Sequence, residues 1–327
     1  MLIRNNYLQI TFWVLIAAVL TAVICFTFWQ KPAQQVIKTI PKAIIQEKNY
    51  IQLLFVGDLM FDRGVRYIAE KNGSNDYIFE KISSTLLDNN LVVANLEGPV
   101  TSAKSMSVTA SVTSPESITF TFDPSLAKTL FNKNIRLVDL GNNHILNFGP
   151  QGVDETEKYL SEAGIKYFGV PQKKESTIEN INGVKIGFVS YNYYEFRGDL
   201  IKAEKATLEE IEKIRPLADV VVVFCHWGDE YKLKNNKEQE NLAHKFIDLG
   251  TDIVIGSHPH VIQPMEEYKG KRIYYSLGNF IFDQDFNENV KKGLGVVVKI
   301  NKETKSLDFS EKHFYLDTTG QVIEKNP

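Results

Sequence analysis

Short apolar runs recur along this chain from Tyr50 onward, and most are closed by a glycine or a polar residue. Ile51 to Val56, Leu91 to Ala94, Ile135 to Leu140, Val184 to Tyr191, Val220 to Cys225 and Ile253 to Ile255 read as strands, followed by Arg272 to Ser276 and Leu294 to Ile300. Between them lie segments with helical spacing: Arg66 to Lys71, Tyr77 to Leu87, Pro124 to Asn132 opened by Asp123, and Gly152 to Ala163 stopping at Gly164. Thr207 to Ile214 and Asn236 to Leu249, the latter stopping at Gly250, continue the alternation. Ile118 to Phe122 alternates as a further short strand, and the Ser- and Thr-rich stretch 102–117 reads as an irregular excursion. Wholly apolar strands alternating with helices predict an α/β body over 50–327, with sheets covered on both faces.

The N-terminus follows a different pattern. Ile10 to Trp29 carries no charge and is bounded by Arg4 and Lys31. About 20 such residues span a bilayer core as a helix, and Trp29 sits where an interfacial aromatic belongs. The expectation is a short tail over 1–9, a transmembrane anchor over 10–29 and a Pro-, Lys- and Gln-containing tether over 30–49. A cleaved signal peptide is the alternative, but no small-x-small cleavage site follows the run. Flanking charges alone leave the orientation open.

Composition narrows the picture further. The 327 residues carry a formal charge of −3 with 24% charged side chains. That balance fits a folded body and gives no basic surface for nucleic acid. Cys25 lies in the apolar run and Cys225 at a strand end, so no disulfide framework is expected.

The strand ends hold the candidate chemistry. Asp58, Glu97, Asn143, His226, His258 and His260 each fall just after an apolar run. Taken singly, each has an ordinary explanation as a turn former, helix cap or buried histidine. Together, carboxylate, amide and imidazole donors on successive strand-end loops form a set that suits Mn, Fe(II) or Zn. Arg63 offers a planar fork for a carboxylate or phosphate, or else a surface salt bridge. Asn279 could donate to an anion or hold a turn.

The blocks Val56-Gly57-Asp58-Leu59-Met60, Asn95-Leu96-Glu97-Gly98-Pro99, Asn142-Asn143-His144, His226-Trp227-Gly228, Gly256-Ser257-His258-Pro259-His260 and Ser276-Leu277-Gly278-Asn279-Phe280 resemble the CapA-like capsule (poly-γ-glutamate) synthesis family. That family lies within the calcineurin-like metallophosphoesterase superfamily. The resemblance implies a four-layer αββα sandwich of two mixed sheets. It also implies one or two divalent ions, with Asp58 and His260 on the first, Glu97 bridging, and Asn143, His226 and His258 on the second. His144 would act on the leaving group. Two departures from the superfamily stand out: Met60 replaces a histidine ligand, and Glu97 replaces the usual aspartate.

The resemblance further implies a membrane-anchored protein with its body outside the cell. Its partners would be an anionic polymer such as poly-γ-glutamate and membrane-bound synthase subunits. The expected activity is that of a metal-dependent hydrolase or transferase, with His144 and Arg63 as catalytic residues. A non-catalytic assembly or export subunit is the alternative, favoured by Met60. A phosphoesterase of nucleotides or phospholipids rests on superfamily analogy alone.

Overall fold

Strand positions here alternate between two apolar environments, which is what a sheet buried on both faces requires. The computed structural model describes residues 4–29, 48–111 and 113–325, with first-helix side chains from 12 to 26 and without the side chains of 197 and 198. The expected tether over 30–49 thus falls mostly outside the described residues.

In chain order the elements are α1 (Arg4–Trp29), β1 (Tyr50–Leu59), α2 (Arg63–Lys71), α3 (Asp76–Phe79), α4 (Ser83–Leu87), β2 (Leu91–Leu96), α5 (Ser125–Asn132), β3 (Ile135–Asp139), α6 (Gly149–Ala163) and β4 (Lys166–Phe168). Then come β5 (Ser176–Ile181), β6 (Val184–Asn192), α7 (Leu200–Ile214), β7 (Val220–His226), α8 (Lys237–Asp248), β8 (Ile253–Ser257), β9 (Met265–Tyr268) and β10 (Lys271–Tyr274). β11 (Asn279–Ile281), β12 (Lys292–Asn301), β13 (Leu307–Leu316) and β14 (Val322–Lys325) close the chain.

Among the described residues the strands form two mixed sheets. One runs β14-β13-β12-β1-β2-β3-β4, with β11 pairing β1; the other runs β5-β6-β7-β8-β10-β9. Ile51, Leu53, Phe55, Val93 and Leu137 of the first sheet share one buried cluster with Ile186, Phe188, Val222, Phe224 and Ile255 of the second. The intervening residues face helices. Leu54, Val56, Val92 and Ala94 pack with Val65, Leu130 and Leu160, while Val221, Val223 and Val254 pack with Ile211, Leu242 and Phe246. The layers are therefore helix, sheet, sheet, helix. β1, β2 and β3 are mutually parallel, as are β6, β7 and β8, so their C-terminal ends carry all of the expected donors.

Two local expectations are corrected. The helix expected over Tyr77 to Leu87 is broken by a 3₁₀ turn at Glu80–Ile82. Ser83 Oγ there donates to the Phe79 carbonyl at 2.9 Å, a local bond that competes with regular helix. The strand expected over Ile118 to Phe122 reduces to a single bridge between Val100 and Phe122. Two of its backbone donors are taken by side chains instead: Phe120 N–H goes to Asn147 Oδ1 at 2.8 Å and Thr121 N–H to Asp62 Oδ2 at 2.9 Å.

The N-terminal helix and the body from Lys48 onward are separate units. Among the described residues no helix is long and apolar enough to cross a membrane. The anchor expected over 10–29 is therefore not established by the fold.

Candidate metal centre

Six donors predicted from strand ends meet in one buried cluster. Asp58 closes β1, Glu97 follows β2, Asn143 and His144 follow β3, His226 ends β7, and His258 and His260 follow β8. Asp58, Glu97 and His226 are fully buried, and His258 and His260 nearly so. His260 Nδ1 lies 3.3 Å from Asp58 Oδ2, and its Nε2 lies 3.6 Å from Glu97 Oε1. His226 Nε2 meets Asn143 Oδ1 at 2.9 Å, and the His226 and His258 ring centres are 4.7 Å apart. Ligand atoms of Asp58, Glu97 and His226 all lie within 4.8 Å of one another. The same holds for a second group, His258 and His260 with Glu230, a residue sequence reasoning did not select.

Backbone geometry aims these groups. His258 and His260 both sit at positive φ, 92° and 57°, so the turn around Pro259 holds a conformation that side chains seldom adopt. The His258 N–H donates to Asp58 Oδ2 at 3.1 Å, which locks this turn to the end of β1. A hub that sequence reasoning missed ties the rest together. Asn95 Nδ2 donates to Asp58 Oδ1 at 2.8 Å and lies 3.3 Å from His226 Nδ1. Asn95 Oδ1 accepts from Asn142 Nδ2 at 3.0 Å. Its sequence signals were its place two residues before Glu97, on the same side of the strand, and its position at the head of the Asn95-Leu96-Glu97-Gly98-Pro99 block.

The surroundings fix imidazole tautomers. Asn147 Oδ1 already accepts from Phe120 N–H, so His144 Nδ1, at 3.1 Å, is its second donor. That leaves the His144 Nε2 lone pair toward Glu97 Oε1, 3.9 Å away. Likewise Asn279 donates its amide to Gln284 and to the Val290 carbonyl, so its Oδ1 accepts from His260 Nδ1 at 2.9 Å. That bond turns His260 Nε2 toward Glu97 Oε1, 3.6 Å away.

Burial lowers His258 to about 3 and His144 to about 4, and holds His226 well below the ordinary value. Burial and the Asp58 charge together raise Glu97 well above the carboxylate range. Burial acts to raise Asp58 too, but the His260 hydrogen bond and charge outweigh it and hold the group low.

These residues fit a divalent cation. Glu97 Oε1 and His258 Nδ1 are buried without a hydrogen-bond partner, a rare state for such atoms. Neutral imidazoles, a carboxylate and a carboxyl pushed up by burial and the Asp58 charge form a donor set of the borderline-metal type. Met60 contributes nothing to it. Its side chain is buried, and its sulfur accepts the Asp62 N–H at 3.0 Å.

Arg63 stands at the rim rather than among the donors. It begins α2 at φ 48°, forms an ion pair with Asp283, and lies 5.0 Å from the Phe120 ring centre and 5.4 Å from that of Phe282. A cleft of about 530 Å³ between α2 and α5, lined by Arg66, Glu70, Asp123 and Lys128, contains none of the donors.

Two face-packed mixed sheets, outer helices and a buried donor cluster at the strand ends define a four-layer α/β sandwich with a candidate metal centre. A solved phosphatase from Mycoplasma pneumoniae superposes with a TM-score of 0.51 at 15% identity, covering 85% of this chain and 95% of that one. A hypothetical protein from Thermus thermophilus gives 0.50 at 18% identity, covering 84% and 100%. At these identities the likeness is one of fold. Residues 52–284 match the family described as bacterial capsule synthesis protein PGA_cap, and the chain belongs to that family. The PGA biosynthesis protein CapA of Bacillus subtilis (strain 168) is 32% identical over 288 residues, 83% of this chain and 72% of the relative. The capsule biosynthesis protein CapA of Bacillus anthracis is 30% identical over 266 residues, 76% of this chain and 64% of the relative.

Proposed function

We propose that this chain is a metal-dependent hydrolase or transferase acting on poly-γ-glutamate, or a related anionic surface polymer, during capsule assembly. The observation that carries the proposal is the pair of orphaned buried atoms, Glu97 Oε1 and His258 Nδ1, within a cluster of neutral imidazoles and carboxyls. Asp58, Glu97, Asn143, His226, His258 and His260 would hold one or two ions of Mn, Fe or Zn. Such ions supply Lewis-acid stabilisation of developing negative charge and acidify water.

The protein's own residues supply the remaining parts. His144 presents an unprotonated Nε2 to the site at neutral pH, so it would take the proton released by the attacking water or polymer terminus and pass it to the leaving group. This refines its expected role as an acid. Arg63, with a buried Nε lacking a partner, would receive an anionic group of the polymer at the rim. The names of the two Bacillus relatives support poly-γ-glutamate and capsule as the biological setting. The apolar helix α1 would anchor the chain as a single membrane pass with the body outside the cell, beside membrane-bound synthase subunits.

Met60 favours a second reading, a polymer-binding assembly subunit, because it removes an imidazole from the superfamily's donor set. His144 separates the two, since catalysis needs it and metal binding does not. In a polymer-producing cell lacking its own copy, the parent chain is expected to restore polymer and His144→Ala to fail while accumulating normally. Full polymer output from His144→Ala would favour the assembly role.

A further inference from the structure

Replacing histidine by Met60 leaves Asp58 and His260 short of a ligand. The loop after β7 brings a carboxylate to His260 and its neighbour His258. Glu230 lies four residues beyond His226, and one of its oxygens lies within 4.8 Å of ring nitrogens of both His258 and His260, which are themselves within that distance of each other. The loop is held there by its backbone. Trp227 N–H donates to the Ser257 carbonyl at 3.3 Å, and Tyr231 N–H donates to the Pro259 carbonyl at 2.8 Å. Gly228 and Tyr231 adopt positive φ, 83° and 64°, which curls the loop over the His-Pro-His turn. The Tyr231 ring lies 6.0 Å from that of His260, and its hydroxyl accepts from Gln284 Nε2 at 3.1 Å.

Glu230 is exposed, and among the described residues it forms no salt bridge. The orphaned His258 Nδ1 shows that this turn has an unused buried donor. The hydroxyl of Tyr194, 2.6 Å from Nε2 of the same ring, holds that imidazole from its other side. Two imidazoles and one carboxylate make a set suited to a borderline divalent ion with open positions for water or substrate.

We propose that Glu230 is a metal ligand at the mouth of the centre, completing a cation position with His260 and His258 in place of the imidazole that Met60 does not provide. Asp58, Glu97 and His226 hold the deeper position. This rests on the proposed metal dependence and redistributes its ligands. It also makes the outer ion the labile one, because its carboxylate comes from an exposed loop.

The test is Co(II) binding to the purified full chain, read by bound metal per chain and by the visible d–d absorption, with Glu230→Gln and Asp229→Asn compared to the parent. Glu230 is exposed, so neither substitution disturbs the core. The parent is expected to bind two ions and Asp229→Asn two. Glu230→Gln is expected to bind one, with loss of the part of the spectrum that appears with the second equivalent. Two ions retained by Glu230→Gln would overturn the ligand role while leaving the metal centre standing. A parent that binds one ion unaffected by the substitution would overturn it as well, as would loss of an ion in Asp229→Asn, which would mark a general charge effect. No binding by the parent would overturn both this proposal and the metal-dependent function.

Discussion

Single side chains in this protein are tuned by burial more than by charge pairing. His144, His226 and His258 stay neutral because the cluster is dry, and that is the form in which imidazole binds metal. Asp139 is the clearest case outside the donor set. It ends β3 fully buried, with Oδ1 accepting the Gly141 N–H at 3.0 Å and Oδ2 without a partner. Burial pushes it from 3.8 up to about 8, against the pull of the Gly141 N–H. It is therefore protonated in the folded chain and ionised in the unfolded chain between those values. The unfolded chain binds fewer protons there, so this group's contribution to stability is lost as pH rises through that window. Depressed histidines act in the opposite sense below 6.5, so the useful comparison is variant against parent. Asp139→Asn, a permanently neutral side chain, is expected to lose less stability than the parent between about pH 5 and pH 8 in urea denaturation. Equal slopes would mean that the buried carboxyl is already ionised.

At the scale of elements, close backbone approach sets the site. A Cβ on Gly57 would fall 1.8 Å from the Gly278 carbonyl oxygen, which itself accepts the Asp58 N–H at 3.1 Å. Gly57 therefore lets β1, bearing Asp58, lie against the segment leading into β11, whose Asn279 orients His260. Gly57→Ala is expected to destabilise the body by more than about 2 kcal/mol, since backbone must move on one side or the other. Parental stability in urea denaturation would show that the two strands are not so close.

The buried strands and the order of donor loops were legible in the sequence because apolar runs and strand-end polar residues are local signals. So was the start of α8, where Asn236 and Gln239 form a capping box. The strands β5, β13 and β14 were not, since one or both of their faces are partly exposed and their patterns are mixed. Asn95 and Glu230 escaped for a related reason. Each matters through residues distant in sequence, Asp58 and His226 for the one and His260 for the other. The false strand at 118–122 shows the converse: its alternation was real, but side chains of Asp62 and Asn147 took two of its backbone donors.

For the whole molecule, the two-sheet body gathers the donor cluster at its strand ends. The proposed polymer substrate would reach that cluster from solvent. The net charge of −3 gives no general attraction for a polyanion, so recognition would be local, through Arg63 and bound cations. The central claim is metal-dependent action on that polymer. The most direct measurement is to incubate the purified chain, loaded with Mn(II), with poly-γ-glutamate and follow polymer length by gel filtration. Polymer length is expected to change only with the metal bound, to stay constant on chelation, and to stay constant with a His144→Ala variant that still binds metal. Unchanged polymer length with metal demonstrably bound would contradict it.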